Sequence, residues 1–257
     1  MQAKGWSAPA TSRRVLELVA DLDWSRARLL DVGAGRGAFC RLRADGGRPE
    51  RVLDPRDRGL ACDLHPASFE VEGLQCAPLG PDGRLPYPDA SFDAVVSLEV
   101  IEHVEDQFRF LRELARVARP GALVVVTTPN VLSLQSRLHT LLIGFPELYD
   151  PIPLEGGDVR LTSGHIHPIS SYYLALGAVR AGLDEVRLHG DRSKRSAALW
   201  AAILSPLLLG ASAVHRRRVA RKRPQGWEGN RDLLRQLASW PLLTSRTAIL
   251  AARKPPA

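Results

Sequence analysis

The segment Asp31-Val-Gly33-Ala-Gly35-Arg-Gly37 decides how the rest of the sequence is interpreted. It overlaps residues 28–32, a short and mostly apolar run of the kind that forms a buried parallel strand. Glycines permit a tight turn from strand to helix, and they let a ligand lie against bare backbone beside the positive end of that helix. The segment therefore predicts a ligand site after the first strand, where Asp31 can accept a hydrogen bond from a ligand ammonium group.

The glycine segment alone leaves the ligand open. The same residues satisfy the dinucleotide pattern if Ala38 takes the place of the third glycine, so a nicotinamide-dependent oxidoreductase is an alternative. A second alternative is a tight turn that needs glycines for its backbone and binds no ligand.

An acidic residue that closes the second strand is the expected partner of such a loop, because it can hold both hydroxyls of a ribose. Asp63 ends the apolar run that begins at Leu60. Asp54 lies at the more usual distance of about 20 residues after the glycines, but its surroundings are polar and rich in arginine. We therefore assign the ribose to Asp63.

Hydrophobic periodicity elsewhere predicts alternating strands and helices, which implies an α/β fold with a mostly parallel sheet and helices on both faces. The predicted strands cover residues 28–32, 60–62, 74–76, 94–98, 122–127, 185–188 and 247–252. The predicted helices are one capped by Thr11, one through Phe39 and Leu42, and those over residues 106–118, 131–143, 170–181 and 197–214, with a loop over 48–58.

Five motifs in order resemble the class I S-adenosylmethionine-dependent methyltransferases, in the branch that includes the ubiquinone-type O-methyltransferases. They are Asp31-Val-Gly-Ala-Gly-Arg-Gly37, Ala61-Cys-Asp-Leu-His-Pro66, Leu85-Pro-Tyr-Pro-Asp-Ala-Ser-Phe-Asp93, Glu99-Val-Ile-Glu-His103 and Arg119-Pro-Gly-Ala-Leu-Val-Val-Val-Thr-Thr-Pro-Asn130. The resemblance covers about the first half of the chain. It implies a Rossmann-like fold, a single methyltransferase domain over residues 1–257 and S-adenosyl-L-methionine as the cofactor.

The resemblance also implies roles for individual residues in the cofactor site. Asp31 and the glycines at 33, 35 and 37 would cradle the methionine end, Asp63 with its neighbour Leu64 the ribose, and Leu98 with Glu99 the floor of the site. Relatives usually place an aspartate shortly before the Leu-Pro segment to bind the adenine amine. Here Leu79-Gly-Pro-Asp82 stands there, so Asp82 or backbone carbonyls would substitute.

Methyl transfer from a sulfonium needs a positioned nucleophile and, for a poor nucleophile, a base. Glu99, Glu102 and His103 follow a predicted strand at the ligand edge of the sheet. We assign catalytic roles to His103, as the base, and to Glu99. The alternative is a histidine that only caps and packs a helix start.

The Glu-x-x-Glu-His pattern resembles the metal site of the ubiquinone-type enzymes and of small-RNA 2′-O-methyltransferases. Two carboxylates and an imidazole suit Mg²⁺ or Zn²⁺, and His165 or His167 could add a ligand. Many relatives carry Glu-His without metal, so we assign no metal ligand. A metal-assisted RNA methyltransferase stays an alternative.

Residues 131–183 fall where this class builds its substrate lid. His165, His167 and Tyr172 are the predicted substrate contacts, and a loop that only packs on the sheet is the alternative.

The charge of the chain is concentrated in one region. The net charge is +7, and a cluster of basic residues at 215–223 directly follows the uncharged run 197–214, within an insertion over residues 190–240 before the last strand. Cations beside an apolar run favour an anionic membrane surface, contacted through residues 197–223, over nucleic acid. A simple crossing would separate the last strand from its sheet, so the run is expected to dip in and return at Pro206, to lie in the interface, or to pack as a soluble helix.

Composition agrees with a folded enzyme. Three cysteines without metal-ligand spacing indicate reduced thiols, and the N-terminus lacks an apolar core of signal-peptide length. We expect a cytoplasmic protein, peripheral on the inner face of the membrane, that methylates an oxygen or nitrogen of a small, lipid-linked or glycan-precursor acceptor. A non-catalytic cofactor-binding protein is a further alternative.

Overall fold

A computed structural model describes residues 8–23, 26–44, 59–80, 82–155, 164–192 and 195–256. The predicted loop over residues 48–58, with the alternative ribose ligand Asp54, lies outside these residues.

One seven-stranded sheet forms the centre of the molecule, in the order β3-β2-β1-β4-β5-β7-β6. The first five strands pair in parallel, and β7 runs antiparallel to both β5 and β6. The prediction of a mostly parallel α/β sheet is therefore confirmed. The strands are β1 (Leu29–Val32), β2 (Gly59–Asp63), β3 (Cys76–Pro78), β4 (Phe92–Leu98), β5 (Ala118–Pro129), β6 (Asp184–Gly190) and β7 (Thr247–Arg253).

Helices cover both faces of the sheet because alternate strand residues face opposite sides. Leu30 and Val95 pack with α3, α5 and α8, whereas Leu29 and Val96 pack with α1 and α2. The helices are α1 (Pro9–Leu18), α2 (Ala38–Ala44), α3 (Gln107–Val117), α4 (Leu134–Ile143), α5 (Ser171–Arg180), α6 (Arg195–Lys222), α7 (Pro224–Glu228), α8 (Arg231–Gln236) and α9 (Trp240–Thr244).

Several predicted element starts are wrong. Strand β3 begins at Cys76 and not at Leu74, and helix α4 begins at Leu134 and not at Val131, because the Ser133 hydroxyl caps it. Helix α1 begins at Pro9, whose fixed φ suits a first turn, and the Thr11 hydroxyl donates to the Asp191 carboxylate instead of capping the helix. Strand β5 begins at Ala118, not Ala122, because Ala118 already pairs with Phe92 before an irregularity in the ladder.

The insertion between β6 and β7 consists of four helices, α6 to α9. Helix α6 is continuous over 28 residues and contains Pro206, so the prediction of a segment that returns at this proline is wrong. Alanines and leucines on both sides of Pro206 favour helix strongly enough to outweigh the interruption. No helix in the described part of the chain is both long and apolar enough to cross a bilayer.

Candidate functional site

The end of β2 meets the glycine loop that follows β1. These strands pair in parallel, so both open at the same edge of the sheet. One oxygen of Asp63 accepts a hydrogen bond from the Gly35 N–H at 2.8 Å, and the other accepts from the His65 N–H at 2.7 Å. The predicted ribose ligand therefore lies directly against the predicted cofactor loop.

The loop backbone requires glycine at more than one position. Gly33, Gly35 and Gly37 have φ values of +74°, +52° and +80°, in the left-handed region that side chains disfavour. A Cβ at Gly33 would lie 2.3 Å from a Val100 methyl, and one at Gly37 would lie 2.3 Å from a Val71 methyl. Glycine is thus required at Gly33 and Gly37 because neighbouring side chains occupy the space of a Cβ, and Gly33 and Gly35 stay partly exposed at the strand edge.

Other predicted cofactor residues have varied environments. Asp31 is buried and accepts a hydrogen bond from the Cys40 thiol at 3.3 Å. Leu98 is buried at the end of β4, and Leu64 is 63% exposed. The exposed Asp82 carboxylate accepts from the Arg84 N–H and from the Arg109 guanidinium, and its contact with adenine stays a prediction.

Glu99 adopts a strained backbone conformation directly after β4. Its φ is +55°, which is uncommon outside glycine and is associated with functional sites. The Thr127 hydroxyl donates to the Glu99 carboxylate at 3.0 Å. Burial raises the pKa of Glu99 to about 7, against the opposing effects of Thr127 and of the nearby Arg246.

Glu102 is a fully buried carboxylate next to two histidines. Neither of its carboxylate oxygens has a hydrogen-bond partner among the described residues. Burial, and then the proximity of Glu99, hold the pKa of Glu102 well above its usual range. The ligand atoms of Glu102, His103 and His165 all lie within 4.8 Å of one another. His165 Nε2 is 4.0 Å from a Glu102 oxygen.

Backbone carbonyls fix the tautomers of both histidines. His103 Nδ1 lies 2.7 Å from the Gly164 carbonyl oxygen, and His165 Nδ1 lies 2.6 Å from that of Leu148. Because carbonyl oxygens only accept, each Nδ1 carries a proton, and in the neutral form of the ring the lone pair is on Nε2. Burial lowers the pKa of His165 and favours its neutral form.

One member of this group, Tyr149, is not among the site residues predicted from the sequence. Its buried ring is 5.2 Å from the His165 ring, which is itself 4.9 Å from the His103 ring. Tyr149 lies in an irregular segment after α4, where no periodicity marks a residue that points inward. The sequence carried no signal that could have found it.

The other two predicted substrate residues lie differently. The exposed His167 contacts the Val104 carbonyl through Nδ1 at 3.3 Å, and Tyr172 on α5 contacts the Tyr173 ring at a centroid distance of 5.4 Å. Of the two histidines that flank Ile166, the structure brings only His165 into the group with Glu102 and His103.

Comparison with known proteins identifies a family that part of the chain resembles. Residues 30–126 match the methyltransferase domain family. This part of the chain is therefore similar to that family. The matched segment contains the glycine loop, Asp63 and the residues Glu99 to His103.

Two relatives are probable S-adenosylmethionine-dependent methyltransferases. The one from Mycolicibacterium smegmatis is 39% identical over 54% of this chain and 55% of its own length. The one from Mycobacterium tuberculosis is 61% identical over 40% of this chain and 35% of its own. The chain thus spans about half or less of the length of these relatives.

A solved structure shows the same fold over nearly the whole chain. The S-adenosylmethionine-dependent methyltransferase from Archaeoglobus fulgidus superimposes with a TM-score of 0.55, covering 95% of this chain and 93% of its own, at 14% identity. The methyltransferase fold therefore extends beyond the matched family segment, through the antiparallel pair β6 and β7.

Proposed function

We propose that the protein is an S-adenosylmethionine-dependent methyltransferase that methylates a hydroxyl, or alternatively an amine, of a small, lipid-linked or glycan-precursor acceptor. The observation that carries the proposal is the hydrogen bond between Asp63 and the Gly35 N–H, within a domain of the matching family. The alternatives of a nicotinamide oxidoreductase and a non-catalytic protein gain no support from these findings.

Binding would use the edge formed by β1, β2 and β4. The loop of Gly33, Gly35 and Gly37 would lie against the methionine end, and the Asp31 carboxylate would accept from its ammonium group. Asp63 would exchange its bonds to backbone N–H groups for bonds to the ribose hydroxyls. Its partners in this structure show that the carboxylate is already held at the loop.

His103 is the proposed base. When bound, S-adenosylmethionine supplies a methyl group on a positively charged sulfur, which the acceptor oxygen takes as the carbon–sulfur bond breaks. The acceptor hydroxyl must lose its proton, and the exposed His103 ring offers the Nε2 lone pair for it while the Gly164 carbonyl holds Nδ1–H. Glu99, directly after β4, precedes the short turn that carries His103 and would help to orient the acceptor.

The same residues fit a second role, the binding of a divalent cation. A fully buried carboxylate and two imidazoles whose ligand atoms lie within 4.8 Å of one another are the donor types that Zn²⁺ and related ions take. The carbonyls of Gly164 and Leu148 orient the rings as outer partners of metal ligands do. Glu102, His103 and His165 would hold the ion, which would stabilise an acceptor oxyanion.

Transfer of a labelled methyl group tests the proposal. Purified protein and radiolabelled S-adenosylmethionine are incubated with a lipid extract, a water-soluble small-molecule extract or RNA from Mycolicibacterium smegmatis, the source of one relative. We expect label in the lipid or small-molecule product, and mass spectrometry to locate the methyl group on oxygen or nitrogen. His103→Ala should slow transfer by about 10²–10⁴, whereas His215→Ala, on an exposed helix position, should not.

The other possible results of the labelling experiment each point to a different function or a different base. Label in RNA would assign the acceptor to the alternative class, and cofactor binding without transfer to any fraction would favour the non-catalytic alternative. Unchanged transfer by His103→Ala would show that another group takes the proton.

A further inference from the structure

Helix α6 has an inner and an outer face that are set by helical spacing. Half-buried positions recur at 204, 208, 212, 216 and 219, whereas the positions on the opposite side are exposed. The inner face is turned to the protein, where α6 contacts α4, α7 and α9. The outer stripe consists of Ile203, Leu207, Gly210, Val214, Arg217, Arg218 and Arg221, all of which are exposed.

The outer stripe changes its chemistry along the helix. Its first part is apolar, with Ile203, Leu207 and Val214 exposed to 59%, 72% and 67%. Its last part carries Arg217, Arg218 and Arg221. The whole stripe, from Ile203 to Arg221, is about 27 Å long at 1.5 Å per residue. A solvated helix gains nothing from an aliphatic outer surface, so this arrangement indicates a partner that is apolar at one end and anionic at the other.

A second group of exposed apolar side chains lies on a neighbouring helix. At the end of α4, which contacts α6, Leu141 and Leu142 are 79% and 77% exposed, and Ile143 and Phe145 are exposed as well. These residues add exposed apolar surface on an element that contacts α6.

We propose that the outer stripe of α6 docks on the surface of an anionic lipid bilayer. Ile203, Leu207 and Val214 enter the boundary between headgroups and acyl chains, and the three arginines lie on the phosphate and carboxylate groups. The proposal is independent of the proposed methyl transfer.

Charge complementarity distinguishes this partner from a second copy of the chain. Residues 195–222 contain no acidic side chain. Parallel pairing of two stripes would oppose arginine to arginine, and antiparallel pairing would oppose arginine to leucine, both of which are unfavourable. An aliphatic stripe also offers no ring on which a nucleic-acid base could stack.

The exposure of each arginine on α6 decides which ones are substituted. Arg216 lies on the inner face of α6 and is half-buried, so it is left unchanged. The basic variant is Arg217→Gln/Arg218→Gln/Arg221→Gln, and the apolar variant is Ile203→Gln/Leu207→Gln/Val214→Gln. The control is Arg84→Gln/Arg112→Gln/Arg180→Gln, which removes the same charge from exposed positions on other elements.

Cosedimentation of the full chain with vesicles tests the proposal. Vesicles of phosphatidylcholine are compared with vesicles in which phosphatidylserine replaces about one third of it, at low and high salt. We expect binding to the anionic vesicles at low salt, weakened on the order of 100-fold by the basic variant and little by the control. The apolar variant should bind the anionic vesicles more weakly than the wild-type protein, and high salt should reverse its binding completely.

Three outcomes would overturn the proposal. The first is equal binding of wild-type protein to neutral and anionic vesicles, or none to either. The second is equal loss of binding in the basic variant and the control. The third is a concentration-dependent dimer that the apolar variant dissociates. Thermal unfolding and calorimetric binding of S-adenosylhomocysteine verify that each variant is folded.

Discussion

Asp63 is held in place by the backbone before any ligand arrives. Its two carboxylate oxygens accept from Gly35 and His65, so the group is aligned at no further entropic cost when a ribose replaces those donors. The strength of cofactor binding should therefore depend strongly on this one side chain.

Asp63→Ala should weaken the binding of S-adenosylhomocysteine by about 1–3 kcal/mol, the usual result of leaving buried partners unsatisfied. Calorimetric titration measures the change. Asp54→Ala is the matched control, since Asp54 was the other candidate for this role, and it should change binding little. A reversal of the two effects would show that the second strand presents a different acid to the ribose.

Glu99 should make stability depend on pH. Its pKa is raised from 4.5 to about 7 in the folded protein, so folding takes up a proton between these values. The stability that this group contributes is complete below about pH 4.5 and is lost as the pH rises through 7, by on the order of 3 kcal/mol. Urea unfolding at several pH values should give a flatter dependence for Glu99→Gln, whereas Glu105→Gln, at an exposed position, should retain the wild-type slope.

His165 and His167 provide a matched pair for the question of a cation. If Glu102, His103 and His165 bind a divalent ion, His165→Ala should weaken calorimetric binding of Zn²⁺ or Mn²⁺ at least about tenfold. His167→Ala should not, because that ring lies on the Val104 carbonyl instead. Absence of binding by the wild-type protein would leave His103 in the role of base alone.

At the scale of elements, the strands were predicted better than the helix ends. Residues 94–98 and 247–252 lie inside β4 and β7 because buried, apolar strands leave a plain pattern in the sequence. The start of α1 and the path of α6 through Pro206 depend on free-energy differences of a few kcal/mol between alternative conformations. Residue type alone does not determine the sign of such differences.

The continuity of α6 can be tested by removing its proline. Pro206→Ala should raise the free energy of unfolding by about 1–2 kcal/mol, since an interior proline forfeits a hydrogen bond and crowds the preceding turn. Pro224→Ala is the control, because Pro224 stands at the first position of α7, where its missing N–H costs nothing. A loss of stability in Pro206→Ala would contradict a helix that runs through this residue.

At the scale of the whole molecule, the sequence predicted the sheet edge but not everything that converges on it. Asp63 ends a strand and Glu99 and His103 come soon after one, and parallel strands open at a common edge, so their placement at one edge of the sheet follows from topology. His165 and Tyr149, which belong to no helix or strand and lie far along the chain, reach the His103 ring, Tyr149 by way of the His165 ring. Contacts of that kind depend on tertiary packing, which explains why Tyr149 was missed and why His165 and His167 could not be distinguished.

The most direct test of the central claim is calorimetric titration of the wild-type protein and of Gly35→Val with S-adenosylhomocysteine and with NAD. We expect the wild-type protein to bind S-adenosylhomocysteine and not NAD. We expect Gly35→Val to bind neither, because a branched side chain at a left-handed position would strain the loop and fill the space of the ligand. Comparable binding of NAD by the wild-type protein, or unchanged binding of S-adenosylhomocysteine by Gly35→Val, would contradict the claim.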